Sequence, residues 1–204
     1  MIKVTHKIMV VGGIPGVGKT SISGHLLRTF NMDIMLSMDY VREFVRGTGM
    51  DKEGVLNTSV YDAWQRFGEK TPENILRGYK EQGAILSKGT NAVIERAIKN
   101  KESLVFETLY FIPEQLTTLS NDEVISLYIQ VSDQEVHKRM LLERDQYTHP
   151  GQSGDRLAEH ISDYRIMAKD ALFACRKAGI TVFDNLNYQK TKTEITEFIA
   201  TRIA

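Results

Sequence analysis

Gly13, Gly18, Lys19 and Thr20 stand at the fixed positions of the pattern G-x-x-x-x-G-K-[ST], in the stretch "GGIPGVGKTS" just behind the apolar run "KIMVVGG". That spacing has a definite chemistry. Glycines let the backbone wrap closely round phosphate oxygens, successive N–H groups point inward, and the positive end of a following helix adds to them. A lysine at position 19 reaches the β- and γ-phosphates of a nucleotide, and a threonine hydroxyl at position 20 ligates Mg2+ directly. We assign Gly13, Gly16, Val17, Gly18, Lys19, Thr20 and Ser21 to the binding of ATP and Mg2+. A guanine-reading N-K-x-D motif is missing, because the Asn100-Lys101 pair is followed by Ser103 where aspartate is needed.

Phosphoryl transfer also needs an acceptor side. Asp39 closes the run "DIMLSMD", read as a second strand, at the carboxyl edge where open parallel sheets bind ligands. There it could orient or deprotonate an attacking hydroxyl, hold Mg2+ through water, or cap the next helix. Arg42 and Arg46 are four apart, share a helix face and could fork a phosphate or carboxylate; the competing role is a solvated face shared with Glu43. Glu107 ends the apolar run of a third strand, and could bind the acceptor, hold Mg2+ through water, or cap the following loop. Arg139, Arg144 and Arg156 flank the turn-rich stretch "DQYTHPGQSGD", read as a lid over residues 143–158, with Arg144 chosen to close on the transferring phosphoryl group. Asn185, just past a fifth strand, could touch adenine or serve a turn. Tyr61, Trp64 and Arg66, with Arg77, Tyr79 and Lys80, could wall the acceptor, Trp64 being better suited to the core.

The elements that must position these groups alternate strand-like apolar runs with helical patterns, which predicts βα units and a parallel sheet. Strands are expected at residues 8–11, within "DIMLSMD", "SLVFETLYF" and "EVISLYIQV", and at "ITVFD". Helices are expected at 19–30, 40–46, 59–67, from Thr71-Pro72 to about 99, from a capping box at 132–135, over 157–177, and at the C-terminus. The expected fold is a three-layer α/β/α P-loop kinase domain spanning residues 1–204, with a five-stranded parallel sheet and a helical lid.

Composition narrows the function classes. Twenty-six Lys and Arg balance 26 Asp and Glu, which argues against nucleic acid as a partner and leaves a small-molecule acceptor; a homo-oligomer stays open. Cys175 is alone, so an internal disulfide is excluded and a reducing, cytoplasmic setting fits. No apolar run approaches the roughly 18 residues of a membrane span, and the five histidines form no HExxH motif.

The P-loop together with "LSMDYVREFVRG", "YDAWQRFGEKTPENILRGYKEQ", "AVIERAIKNKESLVFETLYFIPEQL", "VSDQEVHKRMLLER" and "GITVFDN" resembles the kinase domain of archaeal 2-phosphoglycerate kinases over nearly the whole chain. That resemblance implies transfer of the ATP γ-phosphoryl group to 2-phosphoglycerate, a small phosphorylated acid, giving 2,3-bisphosphoglycerate. It also implies that Asp39 and Arg42 face the acceptor and that Glu107 ends the third strand at the site. The chain departs from that family's pattern at Thr108 and Tyr110, after the third-strand acid. The competing functions are a kinase of a nucleoside, another metabolite or a nucleic-acid 5′-hydroxyl, and an ATP-dependent regulator without transfer.

Overall fold

The computed structural model describes residues 7–146 and 154–203. In chain order the elements are β1 (Ile8–Gly12), α1 (Lys19–Thr29), β2 (Ile34–Ser37), α2 (Met38–Gly47), α3 (Pro72–Asn100), β3 (Leu104–Thr108), β4 (Val124–Gln130), α4 (Gln134–Leu142), α5 (Asp155–Glu159), α6 (Ile161–Lys177), β5 (Thr181–Asp184) and α7 (Tyr188–Ile203). The five strands are all parallel, in the order β2-β3-β1-β4-β5. Every residue of β1 and β3 is buried, as continuous apolar runs covered on both faces should be, while the edge strand β5 is half-buried throughout.

Crossover direction sorts the helices into layers. The step from β1 to β2 runs one way along the sheet, and the steps from β2 to β3 and from β4 to β5 run the other way. Right-handed crossovers therefore put α1 on one face and α2, α3 and α6 on the opposite face. The contacts agree: α7 packs on α1, and α3 packs on both α2 and α6. The expected three-layer α/β/α architecture is the one present. One contiguous core runs from β1 through Phe106, Tyr128 and Tyr164 to Ile195 and Ile199.

The strand order reverses between β3 and β1, and that is where the site is built. In the register there, Gly12 lies beside Thr108, and one strand further out Ser37 lies beside Glu107. The P-loop, the start of α2 and the end of β3 thus reach the carboxyl edge together.

Four local expectations change. β2 stops at Ser37, so Asp39 is not a strand end but the second residue of α2. Ser37 is the helix cap: its backbone is extended and its hydroxyl accepts from Asp39 N at 3.3 Å. The stretch 59–67 is not an α-helix but carries a short 3-10 turn at Ala63–Phe67, because its buried residues Val60, Tyr61 and Ala63 do not keep a helical period. Asp133, not Ser132, caps α4, accepting from Val136 N at 2.9 Å. The expected helix over 157–177 is broken at His160, where the ring stacks on Tyr61 with centroids 3.8 Å apart and Nδ1 lies 3.3 Å from Asp163 Oδ2. The Thr71 cap holds as expected: its hydroxyl accepts from Asn74 N, with Pro72 in the first turn. Of the expected lid over 143–158, residues 147–153, including His149, lie outside the described residues.

Candidate active site

The phosphate loop owes its shape to two glycines in the left-handed region. Gly16 has φ +80° and Gly18 φ +88°, and a Cβ on Gly18 would sit 2.6 Å from the Asn185 amide nitrogen. Gly18 is also the N-cap of α1, with no side-chain cap and no acid in the first turn, so the helix's first N–H groups are left for an anion.

Two buried side chains brace the loop from behind, and neither role was evident from sequence. Asn185, only 1% exposed, donates Nδ2–H to Val17 O at 2.9 Å. Adenine contact and a turn were the roles expected for it; in the fold its amide nitrogen meets the loop backbone, because β5 ends beside Gly18. His137, fully buried on α4, lies with Nε2 2.8 Å from Pro15 O. A carbonyl only accepts, so the ring proton is on Nε2. Burial lowers the His137 pKa, Pro15 O opposes that, and the charges of Arg165 and Lys19 push it further down. The one sequence signal was a histidine four residues before Leu141, on the same inward stripe of α4.

Lys19 donates Nζ–H to Ile14 O at 2.9 Å inside the loop. Burial lowers its pKa; the carboxylates of Glu107 and then Asp39 oppose this, and Arg144 adds to the lowering. Those four side chains, expected at the site from four separate stretches of sequence, therefore lie within one electrostatic neighbourhood. Arg144, half-buried just after α4, has its own pKa lowered first by burial, an effect opposed by Asp39. A guanidinium is charged at any working pH regardless.

Thr20 and Glu107 form the pair on which the fit of Mg2+ can be judged. The Thr20 hydroxyl donates to Glu107 Oε1 at 3.1 Å, and Glu107 is 5% exposed. Its second oxygen, Oε2, is buried without a hydrogen-bond partner. An unsatisfied carboxylate oxygen beside a hydroxyl is a hard-oxygen set suited to an ion that keeps its water and takes its other ligands from phosphate. Among the described residues no group of three or more His, Cys, Asp or Glu could hold a metal. Thr20 and Glu107 thus fit a phosphate-borne Mg2+.

The two α2 arginines part company. Arg46 points both donors of Nη1 at Glu43, at 2.8 and 2.7 Å, on the exposed face. Arg42 turns inward: Nη2 donates to Leu56 O at 2.6 Å and Thr58 O at 2.8 Å, and Nη1 to Glu43 at 2.9 Å. The outer wall first expected for the acceptor is engaged elsewhere. Lys80 pairs with Asp170 at 2.9 Å, Arg66 with Glu81 at 3.0 Å, Arg77 lies over the Phe67 ring, and Tyr79 donates to Leu109 O from the core. Trp64 is half-buried against the core, as its size suggested.

Among known proteins, the chain is 41% identical over 182 residues to the mevalonate-3-phosphate 5-kinase of Thermoplasma acidophilum, covering 89% of this chain and 90% of that one. The chain belongs to that kinase's family. It is an alcohol-acceptor phosphotransferase acting on a small metabolite. A more distant similarity joins this kinase to the 2-phosphoglycerate kinase of Methanocaldococcus jannaschii, 21% identical across 96% of this chain but only 64% of that one. The chain thus spans about two thirds of the length of the 2-phosphoglycerate kinase it resembles. In fold the kinase is similar to the shikimate kinase of Acinetobacter baumannii in complex with shikimate, with a TM-score of 0.56 at 13% identity, covering 97% and 95% of the two chains. No family model matches the chain. Among the described residues no helix is long and apolar enough to cross a membrane.

Proposed function

We propose that this kinase transfers the γ-phosphoryl group of ATP to the 5-hydroxyl of mevalonate 3-phosphate. The observation that carries the proposal is the 41% identity to a mevalonate-3-phosphate 5-kinase over nine-tenths of both chains. The 2-phosphoglycerate implied by the family resemblance is the second acceptor, supported by the weaker similarity over 96% of the chain. The two molecules share a chemistry: each carries a carboxylate, a phosphate monoester and a free primary hydroxyl. They differ in the spacing between the phosphate and that hydroxyl.

In the proposed reaction the acceptor's hydroxyl oxygen bonds to the γ-phosphorus, the bond from that phosphorus to the β–γ bridging oxygen breaks, and ADP leaves with the electron pair. Asp39, on the first turn of α2, accepts the hydroxyl hydrogen bond and then the proton, which passes to solvent. Lys19 and the N–H groups opening α1 hold the phosphates. Thr20 directly, and Glu107 and Asp39 through water, are the side chains that would hold Mg2+, which would offset the negative charge of the phosphates. Arg144 closes from the base of the lid on the charge that spreads over the equatorial oxygens. Arg42 binds an anionic group of the acceptor, while Arg46, tied to Glu43, contributes surface pairing.

The test is Asp39→Asn, which keeps the shape and removes the base. ADP release with ATP, Mg2+ and mevalonate 3-phosphate should fall by about two to four orders of magnitude, with ATP affinity within about twofold of the parent. Parent-level turnover in that variant would remove Asp39 from the chemistry.

A further inference from the structure

Beneath Arg42 lies a buried polar network that none of the transfer steps uses. Gln82, in the middle of α3, is fully buried, and both ends of its amide are engaged. Nε2 donates to Val55 O at 2.9 Å and to Thr58 O at 3.0 Å, and Oε1 accepts from the Tyr110 hydroxyl at 2.6 Å. Tyr110 is 3% exposed, and its backbone N–H donates to the Thr108 hydroxyl at 2.8 Å. The Thr58 carbonyl is shared: it accepts from Gln82 on one side and from Arg42 Nη2 on the other. Because the phenol O–H is spent on Gln82, its lone pairs are what it offers to neighbours. Arg42 is one of those neighbours: burial raises the Tyr110 pKa, and the adjacent guanidinium draws it back down.

Arg42 has five N–H donors, of which the bonds to Glu43, Leu56 O and Thr58 O use three. Its remaining donors lie on a side chain whose plane is fixed by two backbone carbonyls together with the Glu43 carboxylate. Those carbonyls belong to a short segment without α-helix or strand, residues 48–62, which is tied down by Gln82 from α3 and by the Asp51 carboxylate on the N–H groups of Val55 and Leu56. Asp39 stands three residues before Arg42 on the same helix, so whatever fixes Arg42 also fixes the spacing from anion-binding donor to attacking hydroxyl.

We propose that Gln82 and Tyr110 are positioning residues for the acceptor: through the Thr58 carbonyl they hold the Arg42 guanidinium at the place where it takes an anionic group of a phosphorylated hydroxy acid. The proposal rests on the kinase function given above and adds to it the residues that set acceptor affinity. Asp39 and Arg42 share α2, so by fixing Arg42 the network also sets which spacing between anionic group and hydroxyl fits the site.

Steady-state kinetics on the full chain test it, with mevalonate 3-phosphate as the acceptor, or with whichever phosphorylated acid the parent enzyme turns over. In Tyr110→Phe the acceptor KM should rise about tenfold, while the ATP KM and kcat stay within about twofold. Gln82→Met, which breaks both sides of the link, should raise the acceptor KM further and shift the preference between mevalonate 3-phosphate and 2-phosphoglycerate. In an Arg42→Ala background, Tyr110→Phe should add less than about a twofold change, because its route to the acceptor is gone. Thermal melting of each variant separates lost affinity from lost folding. An unchanged acceptor KM in Tyr110→Phe, a parallel loss in kcat and both KM values, or an undiminished effect in the Arg42→Ala background would overturn the proposal. A parent enzyme that refuses mevalonate 3-phosphate but uses another phosphorylated acid would remove the proposed acceptor and leave the positioning role open to the same kinetic test.

Discussion

In Gly18→Ala a methyl group must enter a backbone held at φ +88°, with its carbon only 2.6 Å from the Asn185 amide nitrogen. Two costs can be separated. A residue with a Cβ in the left-handed region costs about 1–2 kcal/mol. The contact with Asn185 is a second cost, since the amide must withdraw and break its 2.9 Å bond to the Val17 carbonyl. Leaving that buried acceptor unpaired costs about 1–3 kcal/mol. The sum is about 2–5 kcal/mol, and for a domain of this size each kcal/mol moves the melting temperature by about 2–4 °C, so a fall near 10 °C is expected. The assay is a double-mutant cycle in thermal or denaturant unfolding, with Asn185→Ala as the second change. With Asn185 truncated the contact disappears and only the backbone term remains, so Gly18→Ala should cost about 1–3 kcal/mol less in that background. Equal costs in the two backgrounds would refute the bracing of the phosphate loop by Asn185.

Glu107→Gln keeps an acceptor for the Thr20 hydroxyl but removes the charge behind Oε2; kcat should fall by about a hundredfold and the Mg2+ concentration for half-maximal rate should rise. An unchanged Mg2+ titration would remove Glu107 from the metal site. Arg144→Ala should lower kcat by about 10²–10³-fold with a smaller change in the ATP KM, and stopped-time product assays at saturating ATP would read it. A purely ATP-affinity effect would contradict its role on the transferring group. The third concerns pH. His137 has a pKa lowered from 6.5 in the fold, so the unfolded chain takes up the proton first, and stability falls as pH drops below that value toward the lowered one. The slope should be up to about 1.4 kcal/mol per pH unit, and His137→Gln should flatten it in melting curves between pH 7 and pH 5; matching slopes would contradict the buried neutral ring.

The parallel sheet was legible because its strands are apolar runs of the right length, and the phosphate loop because its chemistry fixes residue types at fixed spacing. Asp39, Glu107, Lys19 and Arg144 stood out in sequence as charges near element ends, and the fold brings them into one electrostatic neighbourhood. Exposure and pairing were not legible. Arg42 and Arg46 are equivalent by periodicity, and only the carbonyls of Leu56 and Thr58, which come from a segment without helix or strand, draw one inward. For Asn185 its place after a strand suggested adenine contact or a turn, and neither announced the bond of its amide nitrogen to a phosphate-loop carbonyl. The break at His160 has no Pro or Gly to announce it; a stack on Tyr61, far away in sequence, accompanies it. Gln82 left no trace in sequence at all, since a glutamine on a long helix is ordinarily a surface residue.

The most direct test of the kinase's proposed role is a competition experiment: purified protein, ATP and Mg2+, with mevalonate 3-phosphate and 2-phosphoglycerate present together, and product masses followed over time. The expected result is the 3,5-bisphosphate of mevalonate accumulating with stoichiometric ADP, at a kcat/KM at least about tenfold above that for 2-phosphoglycerate. Preferential formation of 2,3-bisphosphoglycerate, or ADP release with neither bisphosphate formed, would contradict it.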